Sequence, residues 1–174
     1  MDSIKQKLLK FRTKRSKNST KHRTLNYADA KYVGVLFKIT DEDKHDYINN
    51  FVHSLEKDGK RVEALTFFDR DHNNPYDFKY EFFTQKDISL LGEIKSESVH
   101  EFAKKEFDYL FCISRESMDV FDYILTNSRA KCRLGKHEEG KEKRYEIMLQ
   151  HKEFDSIDKL IAHLMGFVKK IVNN

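Results

Sequence analysis

Apolar residues fall along this chain in two kinds of stretch. Some are short runs, apolar at most positions, of the length of buried parallel strands. The clearest are 32–38 (YVGVLFK), 61–68 (RVEALTFF) and 109–114 (YLFCIS), and 80–83, 131–135 and 145–149 are shorter ones. Other stretches return to an apolar residue every three or four positions, the period of a helix with one buried face. Tyr47, Ile48, Phe51, Val52 and Leu55 form one such stripe. Val99, Phe102 and Ala103 form a second, Val120, Phe121, Ile124 and Leu125 a third, and Leu160, Ile161, Leu164, Phe167, Val168 and Ile171 a fourth.

The boundaries follow from local chemistry. Thr40 suits a helix N-cap, and Asp41, Glu42 and Asp43 suit the positive end of the helix behind it. Gly59 is a helix stop. Ser98 and Glu101 have capping-box spacing for a helix reaching about Glu106. The last helix is expected over 156–172. Residues 69–78 (DRDHNNPYDF) form a polar loop with the only proline, and 85–95 show no clear period, with a turn at Gly92.

The resulting order, β-α-β-β-α-β-α-β-β-α, is that of an α/β fold. It predicts a three-layer, Rossmann-like, mainly parallel sheet with helices on both faces. The charged segment 137–144 (HEEGKEKR) between the last two strands reads as a hairpin, which would make that edge pair antiparallel.

Ahead of this body, residues 3–15 have the pattern of a basic amphipathic helix, with Ile4, Leu8 and Phe11 at i, i+4 and i+7 and Leu9 beside them. Residues 16–24 turn to Ser, Asn, Thr and Lys and read as a mobile linker. The expected division is a basic N-terminal helix or arm over 1–25 and one α/β domain over 26–174.

Charge sharpens that division. Residues 1–23 hold nine cations (Lys5, Lys7, Lys10, Arg12, Lys14, Arg15, Lys17, Lys21 and Arg23) against the single acid Asp2. The segment therefore carries +8 in a chain of net +4, and the rest sums to −4. Despite the high charge content, 14 Phe and 8 Tyr give the body enough apolar surface to fold. Cys112 and Cys132 lie in strand-like surroundings and read as reduced core thiols. The longest apolar run is too short to span a bilayer and no secretory signal is recognisable, so the expected location is the cytoplasm.

A sheet of this kind binds ligands beyond the carboxyl ends of its strands. The candidates there are Asp69, His72, Ser114 and His137. Asp69, Asp71 and His72 have donor types suited to a divalent cation, though a solvated loop with Asx-turns explains them more simply. Ser114 and His137 would be a nucleophile–base pair, but no G-x-S-x-G elbow accompanies them, and a serine near a helix start usually caps it. Neither a G-x-G-x-x-G nor a G-x-x-x-x-G-K-[ST] motif occurs, and Thr40–Asp43 carries acids where phosphate binding needs glycines. No cofactor is expected. The aromatics Phe67, Phe68, Tyr76, Phe78, Tyr80, Phe82 and Phe83 read chiefly as core, with Tyr76 and Tyr80 placed to touch a partner.

Several short motifs together resemble an uncharacterised α/β domain family of Bacteroidota. They are ADAKYVGVLF from Ala28, Gly59-Lys60-Arg61-Val62, Phe83-Thr84-Gln85-Lys86-Asp87 with Gly92, Glu106-Phe107-Asp108-Tyr109-Leu110, Tyr123-Ile124, and Ser128-Arg129-Ala130-Lys131 with Gly135. The resemblance runs from about Asn26 to Ile171 and implies no activity. Where that family often has an aromatic after the Lys-Asp pair, this chain has Ser89-Leu90. Phe107-Asp108-Tyr109-Leu110 and Ala130-x-x-Arg133-x-Gly135 are also similar to a Rossmann half-domain of heptosyltransferase-like proteins, which implies the fold alone.

The expectation is a non-enzymatic binding protein whose nine N-terminal cations meet RNA or a ribonucleoprotein, with the body free to take a protein partner. A solubilising tail is the plainer account of the same charge. An anionic membrane ranks behind RNA because the apolar stripe is only three or four residues long. A small-molecule enzyme using the crevice is the remaining alternative.

Overall fold

The computed structural model describes residues 3–16, 20–39, 42–68, 80–150 and 156–171. Six strands form one sheet: β1 (Tyr32–Ile39), β2 (Arg61–Phe68), β3 (Glu81–Thr84), β4 (Tyr109–Ile113), β5 (Cys132–Lys136) and β6 (Ile147–Leu149). Their order is β3-β2-β1-β4-β5-β6, and every pairing is parallel. This is the Rossmann-like order, with the switch point between β1 and β4. The helices are α1 (Ser3–Arg15), α2 (Glu42–Lys57), α3 (Glu97–Lys104), α4 (Asp119–Asn127) and α5 (Ile157–Val168).

Alternation along the strands builds two cores. Val33, Val35 and Phe37 of β1 and Phe111 of β4 face α2 (Ile48, Phe51, Leu55) and α5 (Leu160, Leu164, Val168). Leu36, Leu65 and Leu110 point the other way. They meet α3 (Val99, Phe102) and α4 (Phe121, Ile124, Leu125), together with Leu9 of α1. Phe67 and Phe83 are buried in this second core, while Tyr80 is half-buried, its hydroxyl donating to Asn49 Oδ1 at 2.8 Å. Tyr76 and Phe78 lie outside the described residues.

Three details depart from the sequence pattern. β5 and β6 are parallel, not antiparallel. The ten-residue link between them contains a single 3₁₀ turn, Glu142–Arg144, and crosses over without a helix. Arg133 anchors this link: its backbone N–H, Nε and Nη2 all reach the Glu146 carboxylate, and Nη1 donates to Leu125 O at 2.8 Å. The second departure is the cap of α3, which is Ser96 and not Ser98; its Oγ accepts from the Val99 N–H.

The third concerns the N-terminal segment. α1 packs against α4, and Leu9 is 0% exposed. Thr13 is buried beside it, with its hydroxyl donating to Leu9 O at 2.9 Å. Gly92 makes the close approach possible: its φ is +69°, and a Cβ there would stand 2.5 Å from the Leu9 nitrogen. Arg12 Nε donates to Leu91 O and Ser16 Oγ to Asn127 Oδ1. Beyond residues 17–19, the Arg23 N–H donates to Lys131 O at 2.8 Å. The basic helix is thus a docked part of the second core and not a free leader.

At the start of β2, Lys60 is buried. Its ammonium donates to the carbonyls of Tyr27 and Ala30 at 2.7 Å each and lies 4.5 Å from the centre of the Tyr27 ring. It latches the turn that leads into β1.

Candidate polyanion-binding cavity

The carboxyl end of the sheet comes first, because the fold binds ligands there. Asp69 and His72 lie outside the described residues, as do Thr40 and Asp41. Ser114 follows β4, and its side chain turns back on its own loop: Oγ donates to Glu116 O at 2.8 Å and accepts from the Glu116 N–H. This is a local turn bond and leaves no activated hydroxyl. His137 follows β5, and its backbone N–H donates to Leu149 O. No contact joins His137 to Ser114 among the described residues.

Charged side chains fill the neighbouring space. Asp122 of α4 meets Lys141 at 3.0 Å and Arg144 at 2.6 Å, and Lys141 also reaches Glu138 at 2.6 Å. Burial lifts the Asp122 carboxyl above its ordinary range, although both cations oppose the shift. Cys112 is fully enclosed, and burial pushes its thiol up to about 12, so it is no nucleophile at neutral pH. Among the described residues no three His, Cys, Asp or Glu side chains are grouped to hold a metal ion.

The opposite end of the sheet is different. There a solvent-open cavity of about 890 Å³ lies between residues 20–23, the last turns of α3 and α4, and the start of β5. Lys21, Arg23, Lys104, Arg129 and Lys131 line it, with His100, Tyr123 and Asn127, against the single carboxylate of Glu106. Topology brings these together. The 20–23 segment runs beside Lys131, and the Arg129 N–H donates to Ala103 O at the end of α3.

Some of this charge has local partners. Lys131 Nζ lies 2.7 Å from Asp108 Oδ1 and Lys104 Nζ 2.9 Å from Glu101 Oε1. Lys104 and Arg129 also stand where helix C-termini attract cations. Lys21 and Arg23 belong to no helix. Among the described residues neither they nor Arg129 pairs with a carboxylate. His100 Nε2 is held against Ile94 O at 2.7 Å, so the ring is fixed at the rim.

A second depression, lined by Leu8, Phe11, Arg12, Arg15 and Leu91, adjoins the cavity, and Tyr123 and Asn127 wall both. Arg15 lies over the Phe11 ring, 4.9 Å from its centre. Of the nine N-terminal cations, Lys21, Arg23, Arg12 and Arg15 therefore converge around Tyr123. Lys10 faces Asp119 at 3.5 Å, Lys5, Lys7 and Lys14 lie elsewhere on α1, and Lys17 is outside the described residues. Sequence reasoning missed Lys104, Arg129, Lys131, His100 and Tyr123. The one signal available was the pair of cations, Arg129 and Lys131, bracketing the start of β5.

Fold and cavity define a Rossmann-like α/β protein with no glycine-rich phosphate loop and a basic trough at the amino ends of its strands. A family model matches nearly the whole length: the chain belongs to DUF6913, a family of unknown function, whose model covers residues 2–171. No curated protein matches the chain.

Proposed function

We propose that this protein binds RNA, alone or within a ribonucleoprotein, in the basic trough, and that it does so without catalysis. The observation that carries this reading is the convergence of Lys21, Arg23 and Arg129, none with a carboxylate partner among the described residues, on one open cavity beside Tyr123. An RNA backbone supplies the phosphates that three such cations lack, and each contact releases counterions. Tyr123 and Phe11, interleaved with Arg12 and Arg15, offer ring faces on which unpaired bases stack regardless of sequence. A solvent-open trough suits a strand better than a small molecule, which an enclosed pocket would bury.

The test is fluorescence anisotropy with a labelled single-stranded RNA over a salt series. Deleting residues 1–23 would be a poor test, since it strips Leu9 from the core. Point substitutions at Lys21→Ala, Arg23→Ala and Arg129→Ala leave the core intact. Each should lower the salt dependence by about 0.7 in the slope of log K against log salt, and the triple variant should bind at least about tenfold more weakly. Wild-type affinity in the triple variant would overturn the proposal.

A further inference from the structure

The second core leaves an apolar patch without a cover. Seven large apolar side chains are exposed among the described residues, and four of them belong to α1 and the turn beneath it: Ile4 (71%), Phe11 (55%), Leu90 (71%) and Leu91 (65%). Ile4 and Phe11, seven positions apart, share one face of α1, and that face is not the one Leu9 and Thr13 bury. Leu91 stands against Leu8 and Phe11 in the same depression.

The turn presenting the leucines is rigid. Ile88 and Ile94 bridge at its base, Ser89 N–H donates to Glu93 O at 2.8 Å and Gly92 N–H to Ser89 O at 3.0 Å. Two adjacent exposed leucines are thereby held in place at little further entropic cost on binding.

The charge on the helix has one sign, while the turn adds the acid Glu93 and the cation Lys95. α1 carries six cations and no acid over Ser3–Arg15, and Lys7, Lys14 and Arg15 flank the Ile4–Phe11 face. No helix among the described residues is long and apolar enough to cross a membrane.

We infer that this patch is a docking surface for an anionic lipid bilayer, adjoining the trough at Phe11 and Leu91. Leu90, Leu91, Ile4 and Phe11 enter the interface, while the lysines keep their ammonium groups at headgroup level with their stems along the apolar residues. The six cations of α1 would be drawn to any negatively charged surface within a Debye length, about 8 Å at physiological salt, and a bilayer offers such a surface together with an apolar interior.

The experiment is vesicle flotation of the full chain with phosphatidylcholine alone and with phosphatidylcholine containing phosphatidylglycerol. The wild type should float only with the anionic vesicles and be released by salt. Ile4→Glu with Leu90→Glu, both exposed and outside the lining of the trough, should cut the bound fraction at least about tenfold while leaving RNA anisotropy unchanged. Lys7→Glu with Lys14→Glu should do the same. No flotation of the wild type, or equal flotation of the Ile4/Leu90 variant, would overturn the inference. So would a wild-type dimer in light scattering that the Ile4 and Leu90 substitutions convert to monomer, since a second copy would then be the occupant.

Discussion

Asp108 joins three backbone segments through one carboxylate. Its Oδ2 accepts from the N–H groups of Lys31 and Tyr32 at 2.8 and 3.0 Å, and its Oδ1 meets Lys131 Nζ at 2.7 Å. Burial alone would raise its pKa, but the Lys131 ammonium and the two N–H donors hold it below the ordinary carboxylate range. A depressed folded-state value means that the folded protein binds fewer protons. The stabilisation is therefore complete above the unfolded value, about 3.9, and is lost as pH falls through the lower folded one. Asp108→Asn should cost about 1–3 kcal/mol near pH 7, read as a lower urea midpoint at unchanged slope. The gap between wild type and variant should narrow as pH drops below about 4. A gap that stays constant with pH would show that the carboxylate charge is not what holds these strand starts.

Among the elements, α1 shows how far periodicity reaches. The spacing of Ile4, Leu8 and Phe11 correctly groups residues on one face, but spacing does not say which face docks. The buried line is Leu9 and Thr13, and Thr13 escapes notice because its hydroxyl is satisfied inside the helix by Leu9 O. The central strands were legible because both faces are covered, which makes them apolar at nearly every position. β6 was misread because its link to β5 has no helical period, so a parallel crossover looked like a hairpin. In the trough, Lys21 and Arg23 were visible as charge. Lys104, Arg129 and Tyr123 were not, because only the packing of α3 against α4 and the return of the 20–23 segment bring them together. If Leu9 is the main anchor of α1, Leu9→Ala should speed amide exchange through that helix by roughly thirtyfold or more, the equivalent of about 2 kcal/mol. β1 and β4 should stay protected. Unchanged exchange in α1 would mean that its polar contacts, such as Arg12 to Leu91 O, suffice to hold it.

Taken whole, the molecule separates its two thiols by the thickness of the sheet. Cys112 and Cys132 lie on neighbouring strands, yet Cys132 pairs in register with Tyr109 and Cys112 with Gly135. An odd offset puts their side chains on opposite faces, one in each core, where both are free thiols. Burial pushes both up to about 12. The native protein should therefore resist an aromatic disulfide reagent for as long as it stays folded, and both thiols should react promptly in denaturant. A fast-reacting thiol in the native state would mean that one core opens. The two ends of the sheet differ as well: ion pairs fill the carboxyl side beside β4 and β5, while the amino side keeps cations with no carboxylate partner among the described residues around an open trough.

Lys60 stands apart from those cations. An ammonium enclosed by main-chain carbonyls is out of reach of acylating reagents and of enzymes that modify surface lysines. Its positive charge survives chemical masking of the exterior, so the entry to β1 stays fastened even on a molecule whose outer lysines have all been neutralised.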